Sequence, residues 1–257
     1  MSLLNQKKIL VMGVANKWSI AWGISRKLIE SGAQLIFTYY GEKSLRGLEK
    51  LVEEEGITGV RMIECDVTQD ASIEQAFGEI AAKEGKIFGV VHSIAHADKN
   101  ELDGDYFNTS REGYSMAQDI SAFSLVAVTK HALPILEEGG SIVTLTYLGG
   151  ERVVKNYNVM GVAKAALEMS VRYLAHDLGP MGFRINAISA GPVKTLAAKG
   201  ISGFSTLSSN FVDRAPMRRM VTTEEIGGAA VFLLSNLGSG VTGEVLHVDC
   251  GYSILGY

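Results

Sequence analysis

The sequence predicts an α/β protein: a Rossmann-type, doubly wound parallel sheet of about seven strands, with helices on both faces. Three observations carry this. Short apolar runs of strand length alternate with amphipathic stretches of helical length along most of the chain. The strand candidates are apolar throughout, as strands covered on both faces are. The early helical stretches close on Gly32, Gly56 and Gly85, where a left-handed residue ends a helix without strain.

The elements follow in order. Lys8 to Met12 is the first strand and runs into Gly13. Ser19 to Ser31 has helical spacing at Ile20, Ile24, Leu28 and Ile29. Gln34 to Tyr39 is strand two, and Glu42 to Glu55 a charged helix. Val60 to Cys65 is strand three, Ser72 to Glu84 a helix, and Ile87 to Ile94 holds strand four. One long helix is expected over Tyr114 to Leu136, then strand five over Gly140 to Thr146. Asn158 to Leu178 is a second long helix. Arg184 to Ser189 and Glu244 to Val248 supply the last strands, with a helix beginning at Thr223 between them. Val193 to Met217 escapes the rhythm and reads as a loop, of the kind that covers a site.

Composition bounds the function. The 257 residues are taken as one domain, 1–257, and the 47% hydrophobic content can fill its core. Twenty-four basic residues against 28 acidic give −4, with no block of like charge, so no nucleic-acid or membrane surface is expected. Cys65 and Cys250 are far apart and lack metal-ligand spacing, as do the five histidines, so no metal is expected. There is no leader-like N-terminus and no run of membrane-spanning length, and the expected location is the cytoplasm.

Gly13-Val-Ala-Asn-Lys-Trp-Ser19-Ile20 follows the first strand. A glycine-started turn lets backbone approach a pyrophosphate, and the next helix presents its positive end to that anion. The middle glycine of the usual fingerprint is missing, so the segment alone reads equally well as an ordinary turn. Asp66-Val67 after strand three could meet an adenine, although a turn aspartate is the commoner fate. Ser93-Ile94-Ala95 follows strand four, at the edge where open sheets bind ligands. Strand two ends Thr38-Tyr39-Tyr40-Gly41-Glu42, with no adjacent arginine for a 2′-phosphate. NADH is therefore favoured over NADPH, with Lys43 and Arg46 the residues that could reverse the choice.

Tyr157 and Lys164 are seven apart at the start of a helix, nearly two turns and about 10 Å along the axis if fully helical. A phenol near an ammonium becomes a better acid and hydrogen-bond donor, and the lysine can hold ribose hydroxyls.

At these residues the chain resembles the short-chain dehydrogenase/reductase superfamily, whose usual pair is Tyr-x3-Lys. Here the fourth residue after Tyr157 is Gly161. Tyr-x6-Lys with Tyr147 ten residues upstream is the pattern of bacterial enoyl-acyl-carrier-protein reductases of the FabI type. Further matches are Phe37-Thr-Tyr39, His92-Ser-Ile-Ala95, Ser110-Arg-Glu-Gly113, Tyr147-Leu-Gly-Gly150, Asn186 to Pro192 and Thr195 to Gly200.

The resemblance implies hydride transfer from NADH to the β-carbon of a trans-2-enoyl thioester on acyl-carrier protein. It implies that Tyr157 hydrogen-bonds the enolate oxygen, that Lys164 holds the nicotinamide ribose, and that Tyr147 lines the acyl pocket and assists proton handling. Ala95 would touch substrate through its backbone, and Val193, Thr195, Leu196 and Ala197 would lie beside the nicotinamide and pyrophosphate. A loop from about 195 to 211 would close over the acyl chain, and the assembly would be a homotetramer. The wider spacing also suits the chemistry, because one more turn, about 5 Å, matches charge that develops on the thioester oxygen, away from the carbon receiving hydride. Trp18, Trp22, His96 and Cys250 depart from the family pattern. A carbonyl reductase and a non-catalytic NAD-binding regulator are the alternative readings.

Overall fold

Seven strands, β1 (Lys8–Met12), β2 (Gln34–Tyr39), β3 (Arg61–Glu64), β4 (Ile87–His92), β5 (Leu136–Thr146), β6 (Arg184–Ala190) and β7 (Val245–Val248), form one sheet. Its order is β3-β2-β1-β4-β5-β6-β7, and every pairing is parallel. The chain turns back between β1 and β4, and at such a switch point the carboxyl ends of the strands open a crevice. The computed structural model describes residues 2–193 and 204–256.

Alternation along β1 divides the core. Ile9 and Val11 face a layer containing Trp22 and Leu28 of α1 (Ile20–Glu30) and Ile226 and Leu233 of the helix Thr223–Leu234. Leu10 and Met12 face the opposite layer. There they meet Ile73 and Ile80 of the helix Asp70–Glu84 and Leu167 of the helix Asn158–Leu178. Completing the helices in chain order gives α2 (Gly41–Glu54), α3 (Asp70–Glu84), α4 (Arg111–Gln118), α5 (Ser124–Ala132), α6 (Asn158–Leu178), α7 (Phe204–Arg214) and α8 (Thr223–Leu234). Close approach of α1 and α8 depends on glycine, since a Cβ at Gly23 would lie 2.3 Å from Thr223 Cβ.

Three expectations are corrected. The single helix over Tyr114 to Leu136 is instead α4, a π turn at Asp119–Phe123, α5 and a 3-10 turn at Leu133–Ile135. Pro134 ends it: proline has no N–H for the helical ladder, and its ring clashes with the preceding turn. Strand five accordingly starts at Leu136, not Gly140. The expected loop to Phe211 includes α7, whose sequence spaces Phe204, Leu207 and Phe211 at helical intervals. Phe211 is buried and stacks on Tyr252 with ring centroids 4.6 Å apart.

Candidate active site

A cavity of about 770 Å³ opens at the carboxyl ends of β1, β4, β5 and β6. Its walls bring together Gly13, Ser19 and Ile20 after β1 with Ser93, Ile94 and Ala95 after β4. Tyr147 follows β5, Tyr157 and Lys164 come from α6 and its approach, and Val193 follows β6.

Gly13 has φ +89°, and a Cβ there would lie 2.0 Å from the Ser93 carbonyl oxygen. Only glycine lets the two strand ends approach this closely. Ser19 caps α1, its Oγ accepting from Trp22 N at 3.3 Å and donating to the Asn16 carbonyl at 2.7 Å. The first turn of α1 carries no acidic residue, so its positive end meets the cavity uncompensated. The Trp22 ring is buried against Phe37, with ring centroids 6.1 Å apart. Trp18 is exposed, with Lys17 Nζ 4.8 Å from its ring centroid.

Tyr40 is exposed at the end of β2, and Asp66 and Val67 follow β3; all three lie outside the cavity wall. Asp66 Oδ1 accepts from Thr68 N at 2.9 Å and from Thr68 Oγ1 at 2.7 Å, closing a turn. Thr195, Leu196 and Ala197 lie outside the described residues.

Tyr157 precedes α6 rather than lying within it, with φ −122° and ψ −17°, and it follows Asn156 at φ +63°. Its ring meets that of Tyr147 edge-on, with centroids 5.1 Å apart and an interplanar angle of 77°. The backbone of the 3-10 turn Leu148–Gly150 presses on it: a Cβ at Gly149 would lie 2.4 Å from Tyr157 Cδ1. The same turn faces Gly161, where a Cβ would lie 2.8 Å from the Gly149 carbonyl oxygen. Position 161 is therefore closed to lysine, because its Cβ alone overlaps backbone. The next position on this face that reaches the cavity is Lys164. Its Nζ donates to the Leu145 carbonyl at 2.9 Å.

Burial decides the charges. It holds the Tyr157 phenol well above its ordinary range, with Tyr147 and Glu168 adding to the effect. Burial likewise pushes Tyr147 up to about 12, with Tyr252 contributing. Lys164 is lowered to about 8 by burial, against the attraction of Glu168. The expectation that Lys164 makes Tyr157 more acidic is thus corrected: desolvation of the phenolate, with Tyr147 and Glu168, raises the phenol, and Tyr157 stays a neutral donor. His92 is driven down to about 3 by burial and by the Lys164 charge, and its ring lies between Thr144 Oγ1 and Ser124 Oγ at 3.0 and 2.9 Å.

The cavity also gathers residues with no local sequence signal, Leu102 and Met116 among them. They come from separate segments, and only the fold makes them neighbours. Segment Ala95–His96 is fixed from behind: Ser121 Oγ in the π turn accepts from His96 N and donates to His96 O, both at 2.9 Å. Asn158 Nδ2 donates to the Gly104 carbonyl at 3.1 Å, tying the start of α6 to the loop after β4.

A family model described as enoyl-(acyl carrier protein) reductase matches residues 13–253. The chain is 55% identical over 257 residues to the enoyl-[acyl-carrier-protein] reductase [NADH] FabI of Bacillus cereus, covering all of both chains. It is 51% identical over 249 residues to the [NADPH] FabI of Staphylococcus aureus (strain MRSA252), covering 97% of each. The crystal structure of the Bacillus cereus enoyl-acyl carrier protein reductase with NADP+ and indole naphthyridinone superposes with a TM-score of 0.98 at 54% identity, covering both chains fully.

Proposed function

The chain belongs to the enoyl-(acyl carrier protein) reductase family, and from that premise we propose which of its residues carry the reaction. The protein reduces the trans-2 double bond of enoyl-acyl-carrier-protein thioesters, the last step of the fatty-acid elongation cycle. NADH, when bound, supplies hydride to the β-carbon.

The residues present fit a dinucleotide. Gly13, with the close approach its missing Cβ permits, and the acid-free start of α1 at Ser19 and Ile20 suit a pyrophosphate. Ser93, Ile94 and Val193 would flank the nicotinamide half, joined by Thr195, Leu196 and Ala197. Tyr40, Asp66 and Val67 would hold the adenosine half, where the Asp66 carboxylate could accept from the adenine amino group. The choice of NADH is supported at α2, where Glu42 in the first turn pairs with Arg46. A 2′-phosphate there would meet a carboxylate.

Tyr157 donates its phenolic hydrogen bond to the thioester oxygen as enolate charge develops. Its raised pKa keeps that proton in place until charge appears. Lys164 holds the ribose hydroxyls and adds a positive charge behind the oxygen. Tyr147, edge-on to Tyr157, walls the acyl side and excludes water. Ala95 offers backbone to the substrate.

The observation that carries this reading is the Leu148–Gly150 turn packed on both Tyr157 and Gly161. It closes the position a ketone reductase gives to lysine and leaves the seven-residue spacing. Tyr157→Phe should cut kcat about 10²-fold or more with NADH affinity kept, whereas Lys164→Met should weaken NADH binding. Turnover by Tyr157→Phe near that of the wild type would remove the phenol from the mechanism.

Acyl-carrier protein is the partner in this reading, and the cytoplasm its place of action. A homotetramer is supported by exposed Phe107, Phe123, Met169 and Tyr173, apolar area that copies of the chain would cover. Light scattering at a monomer's mass would refute it.

A further inference from the structure

Glu168 is 4% exposed, lies in α6 one turn beyond Lys164, and is absent from the cavity wall. A carboxylate this deep is costly to bury unless it is compensated. Its setting is built for it. Glu168 Oε1 accepts from Thr146 Oγ1 at 2.6 Å. It occupies space left by Gly150, where a Cβ would lie 2.6 Å from that oxygen. Consecutive residues at the end of β5 thus hold the two buried charged side chains of α6: the Leu145 carbonyl takes Lys164 Nζ, and the Thr146 hydroxyl takes Glu168. Residues four apart on a helix are neighbours on one face.

We infer that Glu168 is a positioning residue for Lys164: a buried counter-charge that keeps the lysine an ammonium inside the cavity, where it serves the ribose and the developing enolate. The inference rests on the functional reading above and concerns a residue that touches neither substrate nor cofactor.

The charges around the pair agree with this. From β4, His92 faces Lys164 and is itself held neutral, so it offers no competing cation. Glu168 raises Lys164 against the burial that lowers it. Burial, with Glu151 adding to it, holds the Glu168 carboxyl above its ordinary range, and the Thr146 hydroxyl, Arg172 on α6 and His247 on β7 oppose that shift and favour the carboxylate. His247 Nε2 also lies 2.9 Å from Glu151 Oε1. Tyr157 feels both Tyr147 and Glu168, and each keeps its proton on.

Lys164 is protonated below about pH 8 and loses its charge above it. Without the carboxylate, burial acts unopposed and the ammonium is lost at lower pH. In Glu168→Gln, the alkaline limb of kcat/KM and of NADH affinity should move down by about one pH unit or more. The deficit against wild type should grow about tenfold from pH 6.5 to pH 8.5. NADH affinity, measured by calorimetry, is read without turnover. In a Lys164→Met background, Glu168→Gln should change no limb.

Parallel wild-type and Glu168→Gln profiles would overturn the inference, as would a limb that moves equally in the Lys164→Met background. If Glu168→Gln does not fold, Glu168→Asp decides: retained charge predicts the wild-type limb, and a displaced limb contradicts the role. Failure of the wild type to reduce an enoyl thioester would instead sink the functional reading, and the NADH-affinity profiles would still test Glu168.

Discussion

Gly161 does as much to define the chemistry as Tyr157 or Lys164. Its missing Cβ lets α6 rest against the Gly149 carbonyl, and that contact sets where the phenol and the ammonium meet the cavity. Gly161→Ala should destabilise the fold by about 1–3 kcal/mol, the usual range for overpacking, and should lower kcat by displacing Tyr157. Thermal melting with parallel kinetics checks this, and an unchanged Tm would show that the turn gives way freely. Residue identities were the most legible part of the site. Gly13 and Ser93 could be named from their places after strands, Tyr157 and Lys164 from their spacing, and Tyr147 from the family resemblance, and the cavity gathers all five. The sign of the Tyr157 shift was not legible, because it depends on burial and spacing alone reads only the nearby cation.

At the scale of elements, helices that stop cleanly could be read and irregular ones could not. Helix α8 begins where its Thr222-x-x-Glu225 pattern places it: Thr222 Oγ1 accepts from Glu225 N at 3.2 Å, and Glu225 Oε2 accepts from Thr222 N at 2.9 Å. Thr222→Ala should cost about 1 kcal/mol, the ordinary worth of such a cap, read as a shift in denaturation midpoint with activity kept. The break between α4 and α5 was hidden, because apolar periodicity runs through a π turn much as through a helix. Pro134 marked the far end, but nothing local marked Asp119–Phe123. That turn aims Ser121 at the His96 backbone, and π turns of this kind recur at functional sites. Ser121→Ala should leave both His96 backbone groups without their hydroxyl partner, and should raise KM for the enoyl thioester more than it changes NADH affinity. An unchanged KM would remove Ser121 from substrate positioning.

At the scale of the molecule, a parallel sheet of about seven strands was legible because fully buried strands are apolar on both faces, and glycine punctuates the helices between them; the strand order came only from the fold. The cavity's outer wall was not legible, since Leu102, Met116 and Met160 meet only through folding. In the proposed reading, cofactor choice also belongs to this scale, through the charge that α2 presents beyond β2. With Arg46 engaged by Glu42, kcat/KM should favour NADH, and a preference for NADPH would show that Lys43 or Arg46 reaches a 2′-phosphate. The central claim is that the seven-residue spacing, enforced by Gly149 on Gly161, directs hydride to a conjugated carbon–carbon bond. The most direct test follows NADH oxidation by the purified protein with a trans-2-enoyl thioester and, separately, with a 3-ketoacyl thioester of equal chain length. Rapid turnover of the enoyl substrate with none of the ketone is the predicted result, and turnover of the ketone alone would contradict it.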